Sequence, residues 1–376
     1  MTGYRLLAIH AHPDDESSKG AATMAKYAHE GNRVKVLTCT GGQRGDILNP
    51  AMDRPGIIER MAEIRREEMA AAAAALGVEH EWLGYEDSGL PEGDPLPPLP
   101  EGCFALEDPV EVAKVVVAKI REFRPHVIIT YDENGGYPHP DHIMVHKVSM
   151  IAWEEAGNPD FAPEAGEPWT PLKLYYSHGF VAQRMRLLHD RLIEEGKPSP
   201  YEPMLRRWEE NASDIMRRVT TQVECGDYFS NRAEALTAHA TQIDPAGAFL
   251  ASPVEVQQEV WPTEEFELAQ TRVRAELPEI DLFAGIEPDA ASTANAVAPA
   301  VAVDAAENEA WADADQAAEN SASGTIPSVG VNAKSGADTG SAGQAGVAGQ
   351  AGLAGQAGLA GQAGLAGQAE HEGERQ

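Results

Sequence analysis

The hexapeptide Ala11-His12-Pro13-Asp14-Asp15-Glu16 gathers an imidazole and three carboxylates in consecutive reach of one another. A second cluster, Tyr137-Pro138-His139-Pro140-Asp141-His142, adds two imidazoles, a carboxylate and a phenol. Nitrogen and carboxylate donors with no thiol nearby suit a catalytic divalent metal, which takes three protein ligands and keeps one position open for water. His12 and Asp15 stand at i and i+3 and can hold one ion together; His139 or His142 is the natural third ligand. Asp14 is then free to take a proton from a water that the metal acidifies. Prolines stiffen both turns, because the ring locks φ and removes a donor. Taken alone, residues 12–16 also read as an acidic turn capping a helix that starts near Ser17 or Ser18. The second cluster is what tips the reading toward chemistry.

Each cluster follows an apolar run, Leu6-Leu7-Ala8-Ile9 and Val127-Ile128-Ile129-Thr130. Periodicity predicts strands at 4–11, 33–40, 79–83 and 126–130, alternating with helices at 17–30, 57–76, 109–123 and 141–155. That alternation is the pattern of an α/β fold, a mostly parallel sheet with helices on both faces. Ligands bind such sheets at the carboxyl ends of the strands, so the two clusters can meet there. Further strands are expected at 173–177 and 220–225, and helices at 181–195, 202–212 and 228–241. Residues 264–283 read as an ordered end, with Leu282 and Phe283 as packing residues. On the helix at 109–123, Val112, Val115, Val116 and Ile120 form the expected buried side. The Gly-rich loop 40–46 lacks the spacing of a dinucleotide or phosphate-loop fingerprint. The Pro/Gly-rich loop 84–105 is long enough to be functional.

The chain has 376 residues and a formal net charge of −31. Residues 287–376 carry twelve acids and two bases, so −10 belongs to them and −21 to residues 1–286. An acidic surface argues against nucleic acid and against anionic membranes as partners, and suits a small-molecule substrate. Cys39, Cys103 and Cys225 are widely spaced, with no CxxC, which points to free thiols in a reducing compartment. With no signal-peptide pattern and no run of membrane-spanning length, the expected location is the cytoplasm. Residues 343–366 repeat Gly-Gln-Ala-Gly-(Val/Leu)-Ala four times. One modest apolar residue per repeat buries too little to offset the ordering of glycine-rich backbone. The expected organisation is a catalytic domain at 1–286 and a disordered acidic tail at 287–376.

Together and in this order, the motifs at 11–16 and 138–142 resemble the LmbE-like, N-acetylglucosaminyl-phosphatidylinositol de-N-acetylase superfamily, over residues 4–243. The resemblance implies a Rossmann-like fold and zinc-dependent hydrolysis of amides on amino sugars, with one zinc per subunit. Carried over by position, it makes His12, Asp15 and His142 the zinc ligands and Asp14 the general base. It makes His139 an acid or charge stabiliser near the leaving amine, with Asp141 orienting it. Tyr137 matches the tyrosine that polarises the scissile carbonyl. Arg65, one turn before Glu68, matches an Arg-x-x-Glu pattern, and Asp87 matches an acid that contacts sugar hydroxyls. Lys19 is expected on the acyl part of the substrate or on an inositol hydroxyl, and His239 either lines the site or is structural. The stretches 15–20, 39–49 and 238–242 resemble the branch that hydrolyses mycothiol S-conjugates, itself similar throughout to the deacetylases of N-acetylglucosaminyl-inositol. The expected reaction is cleavage of the cysteinyl–glucosamine amide of a mycothiol S-conjugate, and the alternative is that deacetylation. The catalytic motifs serve both equally, whereas the contexts of Lys19 and Gln43-Arg44 favour the amidase.

Overall fold

The computed structural model describes residues 3–211 and 215–287, with the backbone of 301–302. Strands β1 (Arg5–His10), β2 (Arg33–Thr40), β3 (Glu79–Tyr85), β4 (Val127–Thr130) and β5 (Lys173–His178) pair in parallel in the spatial order β3-β2-β1-β4-β5. Beyond β5 come β7 (Thr263–Thr271) and then β6 (Thr221–Glu224), with β7 antiparallel to both neighbours. A two-residue strand, Val301–Ala302, pairs with β7. The disorder expected for the rest of 287–376 falls outside the described residues. Among the described residues, no helix is long and apolar enough to cross a membrane.

The central strand shows why the sheet is covered on both sides. Leu7 and Ile9 face a core built with α4 (Pro109–Phe123) and α5 (Pro140–Glu155). Leu6 and Ala8 face the opposite core, with α2 (Ala21–His29), α3 (Met61–Leu76) and the segment of Leu282, Phe283 and Ile286. All four are fully buried, as expected of a parallel strand buried on both faces. Each large apolar side chain so placed contributes about 2 kcal/mol. Helix α4 starts where Asp108 accepts the Val110 N–H at 2.8 Å and Pro109 fills the first turn. Val112, Val116 and Ile120 are buried as expected, but Val115 is 38% exposed; Ala113 and Val117 take the inner face instead.

Two further expectations change. The helix predicted from Ser17 begins at Asp15 and is interrupted: α1 (Asp15–Ser18) ends at extended Lys19, and α2 starts after Gly20, whose φ is 78°. Ser17 and Ser18 therefore lie inside α1, whose N-cap is Asp14 with no side-chain capping bond. The acidic run in 263–267 hides a strand, β7, and a short helix at Val254–Val260 precedes it. Leu282 and Phe283 pack as anticipated, with Phe283 stacked on Tyr4 at 4.5 Å.

The chain leaves β1 toward β2 and β3 on one side, then returns to β4 and β5 on the other. The carboxyl ends of β1 and β4 therefore flank the crevice where the winding reverses, which is where this architecture binds ligands. The loops after these two strands carry the two motifs.

Candidate metal centre and active site

The loop after β1 folds back on itself when the His12 N–H donates to Asp15 Oδ2 at 2.9 Å. The loop after β4 is held by Asp132 Oδ1, which accepts the N–H groups of Asn134 and Gly136 at 3.1 and 2.7 Å. Gly135, at φ 74°, presents its carbonyl to His142 Nδ1 at 2.9 Å. A Cβ at 135 would lie 2.6 Å from the Cβ of His142, so only glycine fits. His139 caps α5, its Nδ1 accepting the Asp141 N–H at 3.2 Å.

These constraints bring three acceptor atoms together. His12 Nδ1 lies 3.1 Å from His142 Nε2, His142 Nε2 lies 3.4 Å from Asp15 Oδ2, and Asp15 Oδ2 lies 3.7 Å from His12 Nδ1. Bonds of about 2.0–2.2 Å at a tetrahedral angle separate ligand atoms by about 3.3–3.6 Å. The hydrogen-bond network assigns the tautomers. His142 donates Nδ1–H to Gly135 O, and His12 donates Nε2–H to Asp141 Oδ2 at 3.2 Å. With a cation bound and His12 neutral, both facing nitrogens would present lone pairs to it. Two lone pairs and a carboxylate oxygen converging in this way fit a cation. The surrounding charge agrees. Burial alone would lower the His12 pKa, but Asp141 and Asp87 reverse this and raise it well above the ordinary imidazole value. The pocket thus draws positive charge, as a site for a metal cation does.

His12, Asp87, His139 and Asp141 form a second group of mutually close donors on the far side of the His12 ring. Its short contacts run from His12 Nε2 to Asp141 Oδ2 at 3.2 Å and to Asp87 Oδ1 at 3.5 Å. These pair an N–H with carboxylates, so they orient His12 for the first group and do not compete with it.

The remaining predicted residues sort by what they touch. Asp14 lines the cavity beside this cluster, and burial followed by the charge of Asp15 pushes its carboxyl up to about 7. Its φ of 106° is left-handed. Tyr137 lines the same cavity, and its ring lies 4.6 Å from that of His142. Burial and the charges of Asp15 and Asp14 hold its hydroxyl protonated, well above pH 10. His139 lines the cavity too; burial and the charge on His12 lower its pKa to about 3. Asp141, expected to orient His139, instead contacts His12 Nε2 and the Ser88 N–H at 2.9 Å, because its side chain points back across the crevice. Only its backbone meets His139. Lys19, expected on substrate, spends its ammonium on Asp15 Oδ1 at 2.6 Å and on Ser18 Oγ at 3.2 Å. It also lines a smaller neighbouring cavity that shares Tyr137. Asp87 accepts the N–H groups of Arg44 and Gly89, each at 2.8 Å. Arg65 is buried, donating Nη2–H to Gly45 O and Asp46 O at 3.0 and 3.2 Å. Its Nε and Nη1 have no partner among the described residues.

All of these groups except Lys19, Asp15, Asp141 and His142 line one cavity of about 350 Å³, completed by Arg44, Asp46 and Glu92. One contributor and one contact escaped the sequence reading. Tyr131 directs its hydroxyl to Asp15 Oδ2 at 2.6 Å and accepts the Ala11 N–H at 2.9 Å. Its position at the end of an apolar run was the available signal. Glu16 pairs with His239 at 2.7 Å, both fully buried. Although burial opposes ionisation, His239 holds the Glu16 carboxyl down at about 2. Nothing local announces that contact.

Comparison with known proteins identifies the family. Residues 7–153 match the model of the family described as PIG-L, GlcNAc-PI de-N-acetylase. The chain is 59% identical over 289 residues to the mycothiol S-conjugate amidase of Streptomyces coelicolor, spanning 76% of this chain and 98% of that one. It is 38% identical over 301 residues to the 1D-myo-inositol 2-acetamido-2-deoxy-alpha-D-glucopyranoside deacetylase of Streptomyces scabiei, spanning 76% and 90%. Among solved structures, the N,N'-diacetylchitobiose deacetylase from Pyrococcus horikoshii aligns at 18% identity and TM-score 0.48, over 70% of this chain and 83% of that one. With a 59% identical relative matched almost end to end, this chain belongs to the PIG-L, LmbE-like family of hydrolytic amidases and deacetylases.

Proposed function

We propose that residues 1–286 form a zinc-dependent amidase that cleaves the cysteinyl–glucosamine amide of mycothiol S-conjugates in the cytoplasm, as a detoxification step. The products are glucosaminyl-inositol and an N-acetylcysteine S-conjugate. The observation that carries the reading is the triangle of His12 Nδ1, Asp15 Oδ2 and His142 Nε2 beside a charged cavity lined by Asp14 and Tyr137. The 59% identity to a mycothiol S-conjugate amidase supports the choice of substrate.

His12, Asp15 and His142 would hold the zinc, which would supply Lewis acidity to the amide carbonyl and to the attacking water. Asp14 takes the proton released by that water, and a carboxyl poised near 7 is matched to the task at neutral pH. The Tyr137 hydroxyl, kept protonated, donates to the oxygen on which charge develops. As the carbon–nitrogen bond breaks, Asp14 returns its proton to the glucosamine nitrogen, so the amine leaves neutral. His139 is neutral at physiological pH, with Nδ1 engaged by Asp141 N–H. It therefore serves as a hydrogen-bond donor through Nε2 and not as the cationic acid. Arg44, Arg65 and Asp87 offer the charged groups that a hydroxyl-rich glucosaminyl-inositol needs.

Deacetylation of N-acetylglucosaminyl-inositol is the second reading, favoured by the 38% identity to such a deacetylase and by a site equally able to perform it. A paired assay on zinc-loaded protein separates them, with a bulky mycothiol S-conjugate against N-acetylglucosaminyl-inositol. The conjugate is expected to win by more than about tenfold in kcat/KM, about 1.4 kcal/mol of transition-state binding. A faster acetyl sugar overturns the amidase. Chelation should abolish either activity and zinc restore it; unchanged activity after chelation overturns the metal.

A further inference from the structure

One peptide in the active-site loop, Pro13–Asp14, is gripped at both of its polar atoms. The Asp14 N–H donates to Glu16 Oε2 at 3.0 Å, and the Pro13 carbonyl accepts from Gln242 Nε2 at 2.6 Å. Glu16 is itself held through Oε1 by His239 Nε2 at 2.7 Å. His239 and Gln242 belong to a single turn after α8 (Phe229–Ala238), closed by the Gln242 N–H to the His239 carbonyl at 3.0 Å. That turn is anchored from outside the site. Thr241 donates its N–H and hydroxyl to Glu68 Oε1 and Oε2 on α3 at 2.8 and 2.6 Å, and its carbonyl accepts the Leu48 N–H at 2.9 Å.

The orientation of this peptide plane sets φ at Asp14, and that φ is 106°. A residue with a Cβ is strained in such a conformation, and keeps it only where its surroundings enforce it. The Asp14 side chain makes no capping bond to α1, so its aim into the cavity is set by the backbone.

We propose that residues 239–242 are a positioning element for catalysis: the His239–Glu16 pair and Gln242 clamp the Pro13–Asp14 peptide so that the Asp14 carboxylate faces the reacting amide. The proposal rests on Asp14 being the base. His239 does not line the cavity, whereas Gln242 does.

A double-mutant cycle on the zinc-loaded full chain tests it. His239→Ala is expected to lower kcat by about thirtyfold or more, with KM and bound zinc changed less than about threefold. In the Asp14→Ala background, the same substitution should lower the residual rate by less than about threefold, because there is no base left to misplace. His239→Gln, which keeps an N–H for Glu16, should restore most of the rate. Equal losses in both backgrounds, or zinc lost in step with activity, overturn the clamp. If His239→Ala does not fold, Glu16→Gln takes its place in the cycle: a loss confined to the Asp14 background supports the clamp, and equal losses overturn it. If Asp14→Ala alone keeps full activity, the base assignment falls, an outcome distinct from failure of the clamp.

Discussion

The parallel half of the sheet and its antiparallel edge both bury charge, and they handle it in opposite ways. Along β7, Glu264 meets Arg232 at 3.2 Å, Glu265 meets Arg184 at 3.0 Å, and Glu267 meets Arg218 at 2.8 Å. On β5, Lys173 meets Glu279 at 2.5 Å, with Tyr175 on the other carboxylate oxygen. At the carboxyl ends of β1 and β4 the pattern differs. Asp141 Oδ1 and Arg65 Nη1 are buried without a partner among the described residues. Asp14 and Asp15 stand side by side, and one of them is forced toward neutrality. Buried polar groups are almost always satisfied, so those left open mark where something else binds. The edge uses charge to fix architecture; the crevice holds charge in reserve for a ligand.

Substitutions should therefore divide cleanly between the two regions. Asp14→Ala should lower kcat by about 10²–10⁴, the span of general-base contributions. The same change should leave thermal stability equal or higher, since it removes a half-buried carboxyl that the charge of Asp15 disfavours; a clear loss of stability would blur the contrast. Glu279→Gln should do the reverse. It leaves Lys173 buried and unpaired, at about 3 kcal/mol of stability in urea titrations, with kcat per folded molecule unchanged. Asp141→Asn tests the boundary, because Asp141 orients His12 from behind. Zinc affinity should fall about 10–100-fold in competition with a chelator, and an unchanged affinity would remove Asp141 from the metal's support. The smallest effect concerns His126, remote from the site. Burial, and then the charge of Arg5, lower its pKa to about 4. The unfolded chain thus binds a proton below about pH 6.5 that the folded chain refuses, so stability is complete above that pH and declines as pH falls toward 4. The loss is on the order of 1 kcal/mol at pH 5.5. His126→Asn, which preserves an acceptor for the Arg5 N–H, should flatten that part of the profile.

Much of the crevice was legible because its signals are local. An apolar run followed at once by His-Pro-Asp-Asp-Glu, or by Tyr-Pro-His-Pro-Asp-His, places the chemistry at a strand end without knowledge of the fold. The antiparallel edge was not legible, because Glu264, Glu265 and Glu267 give β7 the look of an exposed segment. Their cationic partners Arg232, Arg184 and Arg218 lie 32, 81 and 49 residues away in the chain. Lys19 follows the motif and so points to substrate in the sequence, but helical geometry brings i and i+4 together and gives it to Asp15 instead.

The sequence by itself determined the alternation of strands and helices as far as residue 241, the two clusters and the kinds of donor they offer, since periodicity and residue type act over a few positions. Only the tertiary structure decided which carboxylate turns toward His12, that Tyr131 supports Asp15, and that a turn 223 residues away reaches Glu16 beneath Asp14. Those pairings depend on how β1, β4 and the turn after α8 converge at one end of a twisted sheet. No local propensity encodes a distance between elements so far apart in the chain.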